Sequence, residues 1–298
     1  MTQSSFTDLP MMQDLARQAF PSSALYVIAT PIGNAADITL RALHVLGLVD
    51  AVACEDTRNT AQLLHRYGLS KELLAAHEHN EREAAARIVD RLQQGQRIAL
   101  VSDAGTPAVS DPGARVVDAV RAAGLRVVPL PGASAAIAAL SAAGLVQDRF
   151  LFAGFLPVKG KQREAELAVL KEVAATLVFY EAPHRIGDMV DALVAAFEPQ
   201  RHIVFAREVT KLFEEIHRCT LAEAPAWLAA DPNRMKGEYV VLVEGASAAP
   251  DQSAEAERVL RILLESCSVK QAAALAAQIT GAKKNALYER ALQLKPDA

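Results

Sequence analysis

The sequence predicts an α/β fold with a largely parallel sheet, on two observations. Short apolar, β-branched runs alternate with longer helical patterns from Leu25 onward, and loops rich in Gly and Pro close several of those runs. The strand-like runs fall at 25–30, 50–54, 97–102, 126–130, 150–155, 176–181, 201–207 and 238–244. Helical patterns at 37–47, 57–67, 81–94, 112–123 and 133–143 separate the early ones. The second half is less regular. Residues 212–220 read as a further strand directly after 201–207, which predicts antiparallel pairing there. A seam is expected near 143–148, giving one α/β domain over 24–145 and a second over 146–247. The small, polar stretch ASAAPDQSAE at 246–255 has the composition of a linker. Beyond it, helical patterns at 256–266, 269–280 and 283–292 predict a small helical appendage spanning 256–294. Ser268 with Gln271 three residues on forms a capping-box pattern, and Gly281 marks the stop of that helix. Residues 1–23 are expected to be a poorly ordered tail.

Composition narrows the function classes. A length of 298 residues is compatible with about two domains, and 51% hydrophobic with 22% charged residues is globular rather than disordered. No run approaches the roughly 18 apolar residues of a membrane span. The first twenty residues contain no apolar core of a signal peptide, so a cytosolic protein is expected. Three scattered cysteines, Cys54, Cys219 and Cys267, support neither a disulfide framework nor a four-ligand zinc site. A net charge of −4 argues against indiscriminate coating of nucleic acid but permits a local basic face.

Several nucleotide and metal signatures are missing. There is no G-x-G-x-x-G, and the nearest phosphate-loop lookalike, Gly154…Gly160-Lys161, is one residue too long and continues with Gln162. His77-Glu78-His79 has no third His or Cys nearby, so no metal site is expected. What is present is a set of loops at strand ends. Thr30-Pro31-Ile32-Gly33-Asn34 follows the first run, Ser102-Asp103-Ala104-Gly105-Thr106-Pro107 the run at 97–102, and Pro131-Gly132-Ala133-Ser134-Ala135 the run at 126–130. Open α/β sheets bind ligands at the carboxyl ends of their strands, and Gly admits close backbone approach there. A purely structural reading stays open for single loops: Asp111-Pro112 also suits a helix cap followed by its first residue.

Nine motifs occur in order: ATPIGN (29–34), ACEDTR (53–58), HEHNE (77–81), VSDAGTPAVSDPG (101–113), PGASA (131–135), FAGFLPVKGKQR (152–163), FYEAPHR (179–185), REVTKLFEE (207–215) and GEYVVLVEG (237–245). Together the sequence resembles the ribosomal-RNA branch of the tetrapyrrole-methylase superfamily across 24–294, the appendage segment KQAAALAAQITGAKKNALYE included. The wider superfamily carries Gly-Asp-Pro in the loop that here reads Gly105-Thr106-Pro107, with Asp103 displaced upstream; the rRNA branch shares this form. The resemblance implies a two-domain, class III methyltransferase fold, S-adenosylmethionine (AdoMet) in the cleft, a homodimer, and 2′-O-methylation of a cytidine in the decoding region of 16S rRNA on the small ribosomal subunit. It places Pro31, Gly33, Gly105, Thr106, Ala108, Val109, Ser134, Ala135 and the Tyr180, Glu181 and Pro183 segment around the cofactor. Pro131 and Gly132 open the helix terminus that suits a carboxylate, and Asp103 suits an ammonium or ribose hydroxyl.

A ribose 2′-hydroxyl is a poor nucleophile, so a base or a stabilising field is expected beside it. Candidates are Glu55 and Asp56 at the end of the second run, and His79 and Glu81 in HEHNE. Asp56 equally suits the N-cap of the helix from Thr57, and Asn80 with Glu83 resembles a capping box. Lys159, Lys161 and Arg163 follow a cleft-lining loop in an acidic chain and are expected to meet phosphate rather than form only a solvated face, with Arg58, Arg185 and Lys211 extending that surface. Lys283 and Lys284 suit a grip of the appendage on RNA, while a helical cap or dimer strap stays open as its role. Trp227 and most Phe residues are expected in the core. Two other functions compete: a methyltransferase of the same fold acting on a tetrapyrrole or protein side chain, and a non-catalytic RNA-binding module.

Overall fold

The computed structural model describes residues 14–15, 17–77, 80–246 and 252–294. The first sheet is built from β1 (Ala24–Ile28), β2 (Ala51–Cys54), β3 (Glu72–Ala75), β4 (Arg97–Leu100) and β5 (Arg126–Leu130) in the order β3-β2-β4-β1-β5. Every pairing in it is parallel. Helices α1 (Leu40–Leu48), α2 (Thr57–Arg66), α3 (Glu81–Gln93) and α4 (Ala114–Ala122) cover its two faces. Residues of β1 alternate between the two covers. Tyr26 and Ile28 join Val45, Leu46 and Val52 on one face, while Leu25 joins Ala53, Ile88 and Val120 on the other. Burial on both faces explains why β1 and β2 are continuous apolar runs.

Two local expectations change here. β3 has no strand-like run in the sequence; Glu-Leu-Leu-Ala becomes a strand by adding to the open side of β2, with Ala51 opposite Glu72 and Cys54 opposite Ala75. The helix expected from 112 begins instead at Ala114 with Gly113 as its cap, so Asp111 does not cap it.

The second sheet contains β6 (Phe150–Phe155), β7 (Thr176–Glu181), β8 (His202–Arg207), β9 (Glu215–Thr220) and β10 (Tyr239–Val243), ordered β6-β7-β10-β8-β9. β6 and β7 run parallel, and the other pairs are antiparallel. The antiparallel partner expected after 201–207 is therefore present. It starts at Glu215 because 208–214 form a tight turn, in which the Glu214 carboxylate accepts the Thr210 amide at 2.6 Å. Helices α6 (Gly160–Leu170), α7 (Ile186–Ala196) and α8 (Ala224–Ala229) pack on one face around Leu167, Phe179, Leu193 and Phe205. Trp227 joins that core as expected, stacked on Phe205 and His217.

Helix α5 (Ala135–Ala142) covers the other face. It follows β5 of the first sheet, yet its buried alanines, Ala136 and Ala139, pack against Val178, Val204, Ala206 and Val240 of the second. Methyl side chains let the helix lie close to the strands. The two halves are thus interlocked by one short helix.

The appendage consists of α9 (Gln252–Leu264), α10 (Val269–Thr280) and α11 (Lys284–Leu294), with its own core of Leu260, Ala273, Leu287 and Ala291. Both reciprocal bonds of the Ser268–Gln271 capping box are formed, and Gly281 ends α10 in the left-handed conformation at φ 73°.

Candidate active site

In the first sheet the chain leaves β1 toward β2 on one side and leaves β4 toward β5 on the other, so the order reverses between β1 and β4. A crevice opens at such a switch point. The two loops there are tied by a pair of backbone hydrogen bonds, Thr30 and Gly105 each donating an amide to the other's carbonyl at 2.9 Å. Gly105 meets that geometry at φ 79°, which strains any residue with a Cβ. Gly132 answers a different demand from the ligand approach expected of it: a Cβ there would lie 2.7 Å from that of Ala29, so it lets the loop after β5 nest on the end of β1. Thr106 Oγ1 then donates to the Ala133 carbonyl at 3.0 Å, fixing the third loop to the second.

These loops form one wall of a cavity of about 300 Å³, and the ends of β7, β8 and β10 form the other. Of the sequence-predicted cofactor residues, Gly105, Thr106, Val109, Ser134, Ala135, Tyr180, Glu181 and Pro183 line it. Pro31, Gly33, Asp103, Ala108, Pro131 and Gly132 lie outside that lining. Gly33 lets its loop lie against Lys211 and Thr210 of the opposite wall, where a Cβ would collide with the Lys211 stem. Asp103 accepts a 2.7 Å hydrogen bond from the Asn59 amide side chain.

The opposite wall consists of charged side chains in pairs. Glu181 is 2% exposed; it accepts its neighbour Ala182's amide at 2.9 Å and meets Arg185 Nε at 3.2 Å. Burial nonetheless dominates and pushes its carboxyl up, against the pull of the amide and of Arg185. Arg185, expected at RNA, spends its other arm on the Leu156 carbonyl at 2.5 Å and is largely buried. Lys211, also expected at RNA, lines the cavity, with Nζ 2.8 Å from Glu208 and 2.7 Å from Glu238. Burial opposes its charge, but those two carboxylates outweigh burial and hold its pKa up. Tyr180 Oη accepts the Ala136 amide at 3.3 Å, joining β7 to the first turn of α5.

The expected acid–base residues are dispersed. Asp56 caps α2, accepting the Arg58 and Asn59 amides, and the Arg58 side chain beside it holds its carboxyl down to about 2. Arg58 is thereby paired as well as exposed. Glu81 is buried behind the loop, accepting the Gly113 amide at 2.9 Å and the Arg115 amide at 3.2 Å. Asn80 does not form the capping box with Glu83; its side chain bridges the His77 amide and the Ala75 carbonyl instead. Glu55 follows β2 outside the cavity lining, and His79 lies outside the described residues. Lys159 and Lys161 are exposed around the first residue of α6, with Arg163 half-buried one turn on; Lys283 and Lys284 are exposed at the start of α11.

The cavity residues that sequence reasoning missed include Asp111, Phe155, Glu208 and Glu238. Phe155, expected in the core with most Phe residues, is 51% exposed at the cavity and edge-on to Tyr180 at 5.8 Å. Asp111 is half-buried, and its carboxyl is pushed up to about 6, first by burial and then by the nearby carboxylates of Glu55 and Asp103, while a Ser102 hydrogen bond pulls the other way. Backbone strain gathers here too. Apart from Ser23, the non-glycine residues with positive φ among the described residues are Ala108 and Ser110, in the loop that carries one wall, and Glu208 and Thr210, in the turn that carries part of the other. Each costs about 1–3 kcal/mol and persists because surrounding contacts fix it, as at functional sites.

The lining suits a cationic ligand with an anionic end. Four carboxylates, Asp111, Glu181, Glu208 and Glu238, face it against the single ammonium of Lys211, while α5 opens on it at Ser134 and Ala135 with the positive end of its dipole. Ile32, Val109 and Val209 give it apolar surface for a flat ring.

Comparison with known proteins is consistent along the chain. A model of tetrapyrrole (corrin/porphyrin) methylases matches residues 24–225, and one of the RsmI C-terminal HTH domain matches 250–295. The ribosomal RNA small subunit methyltransferase I of Escherichia coli O157:H7 is 52% identical over 270 residues, covering 90% of this chain and 94% of that one. Its namesake in Pseudomonas aeruginosa is 51% identical over 275 residues, covering 91% and 98%. The crystal structure of the methyltransferase CobJ superposes with a TM-score of 0.57 at 23% identity, covering 76% of this chain and 95% of that chain, which establishes the shared fold.

Proposed function

The chain belongs to the tetrapyrrole methylase family and stands with its ribosomal RNA small subunit methyltransferases, and from there we propose that it methylates the ribose 2′-oxygen of a cytidine in the decoding region of 16S rRNA, using AdoMet. The observation that carries this reading is near-full-length similarity, appendage included, to relatives named for methylating small-subunit rRNA. The carboxylate-rich cavity supports it independently, because AdoMet supplies its methyl group on a sulfonium and carries an ammonium besides.

In this reading the first turn of α5, at Ser134 and Ala135, holds the cofactor carboxylate, and Glu181 faces its positive charge across the cavity. Ile32, Val109 and Val209 flank the adenine. Gly132 fixes the loop after β5 on the end of β1, and Gly33 fits the loop after β1 against Lys211, with Pro31, Ala108 and Pro131 in the same loops. Most of the rate comes from alignment of the 2′-oxygen with the methyl carbon. Phe155 offers an exposed ring to a base turned out of the RNA.

The RNA path runs over Lys159, Lys161 and Arg163. Cations at the start of α6 oppose the helix dipole, an arrangement that phosphate relieves. Lys283 and Lys284 open α11 and extend the grip from the appendage. Arg185 and Lys211 serve the cleft instead, each held by carboxylates. We further read the enzyme as a cytoplasmic homodimer. An rRNA acceptor calls for the compartment that holds ribosomes, and Phe150 and Leu151 of the edge strand β6, with Val146 just before it, leave apolar surface exposed for a second copy.

Transfer of labelled methyl groups to small ribosomal subunits, with a porphyrinogen as the competing acceptor, tests the reading. Label is expected on a cytidine ribose of 16S rRNA. Label on the porphyrinogen alone, or none on either acceptor while AdoMet binds, would overturn it.

A further inference from the structure

We propose that Asp111 is the general base of the reaction, accepting the proton of the target 2′-hydroxyl as the methyl group is transferred. The inference deepens the functional reading above and rests on it.

Availability singles this residue out. Of the four carboxylates that line the cavity, Glu181 is held by Arg185, and Glu208 and Glu238 are held by Lys211. Among the described residues no cation pairs with Asp111. Its neighbours are Glu55 from the end of β2, Asp103 from the loop after β4, the Ser102 side chain and, across the cavity, the Tyr180 hydroxyl. A carboxyl in that setting keeps a proton-accepting oxygen for a ligand.

Its position is also built rather than incidental. The loop that carries it turns through two left-handed residues, Ala108 and Ser110, immediately before Asp111. Immediately after it, the buried Glu81 takes the Gly113 and Arg115 amides and pins the loop from behind. Strain on one side and a buried carboxylate on the other hold Asp111 at the cavity. The sequence pattern Asp-Pro-Gly here therefore presents a side chain to the cavity, while α4 is capped without it.

The chemistry balances with the groups already named. The 2′-oxygen forms its bond to the methyl carbon as the carbon–sulfur bond breaks, the sulfur keeping the electron pair and becoming a neutral thioether. The hydroxyl proton passes to Asp111, which returns it to water when the product leaves. A base of this kind works best when its own affinity for protons lies close to the operating pH. Burial beside two other carboxylates pushes Asp111 to about 6, which leaves it ionised yet basic at neutral pH.

The test compares the unaltered enzyme with Asp111→Asn, which keeps the side-chain shape and removes the base. Single-turnover transfer to small ribosomal subunits is followed between about pH 5 and about pH 8.5. AdoMet affinity is measured by calorimetry, and the Asp111 carboxyl is titrated by carbon-13 NMR in the cofactor-free protein. The unaltered enzyme is expected to gain about tenfold in rate per pH unit below about 6 and then level off. Asp111→Asn should be about a hundredfold slower or worse, without that limb, and bind AdoMet within about threefold of normal. The carboxyl should titrate near 6, well above an ordinary aspartate. A variant that keeps the rate and the pH limb would overturn the assignment, as would one that loses AdoMet binding, which would make Asp111 a cofactor ligand. Failure of the unaltered enzyme to methylate subunits at all would overturn the functional reading, and this inference with it.

Discussion

The two walls of the cavity are made by different means. The wall from the first sheet is backbone: loops 29–34, 101–113 and 131–134 are tied to each other by main-chain and hydroxyl hydrogen bonds, with small residues at the points of approach. The wall from the second sheet is side chains: Tyr180, Glu181, Glu208, Lys211 and Glu238 stand in ion pairs and hydrogen bonds at strand ends. A backbone wall fixes shape and tolerates no added volume. A side-chain wall fixes charge and can be altered one group at a time. Asp111 is the exception, a charged side chain presented by the backbone wall.

The largest effect should come from volume added to the backbone wall. Gly132→Val drives its side chain into Ala29 and is expected to destabilise the protein by about 2–3 kcal/mol, read from the denaturant midpoint, and to abolish AdoMet binding. Near-normal stability with normal binding would show that this wall is softer than its contacts imply.

Asp111 gives a smaller effect with a definite sign. Its carboxyl is pushed up in the folded protein, so between the unfolded value near 3.9 and about 6 the folded state holds more protons, and stability falls as pH rises. Discounting for its partial exposure, on the order of 1–2 kcal/mol is lost by pH 7. Asp111→Asn should therefore unfold at higher denaturant than the unaltered protein at pH 7, with the gap closing toward pH 4. An equal gap at both pH values would mean the carboxyl is not held at a cost.

The smallest effect separates the two kinds of cation. Lys211→Met should cost ~0.5–1 kcal/mol by leaving Glu208 and Glu238 facing each other, and should leave the salt dependence of subunit binding unchanged. Lys159→Ala with Lys161→Ala should do the reverse, leaving stability alone and making that dependence shallower by about two units of slope. A shallower slope for Lys211→Met would return that residue to the RNA surface.

The same contrast governs what could be read from the sequence. The α/β class, the antiparallel pair β8–β9, the capping box at Ser268 and the three Gly- and Pro-rich loops were legible because each is written in neighbouring residues. Partners distant in the chain were not. Glu81 looked like a base because its partner amides lie 32 and 34 residues away. Arg185 and Lys211 each have one partner close in the chain, Glu181 and Glu208, but the second partners that use up their remaining donors, Leu156, 29 residues away, and Glu238, 27 away, meet them only in the folded chain. Asp111 was hidden by a local rule, since Asp-Pro ahead of a helical pattern is a good cap. β3 was hidden by its position: an edge strand with one covered side needs no apolar run.

Helix α5 also sets an order of events during synthesis. It is made directly after β5, but the strands that bury Ala136 and Ala139 are not complete until Val243 has been added. At the usual 5–20 residues per second, the helix waits roughly 5–20 s for its packing surface. Throughout that interval the first sheet can close around its own core while the mouth of the cleft has no second side. The cavity is therefore the last part of the two-sheet body to come into being, and a nascent chain halted before β10 would have a folded front half with only one wall of the cleft.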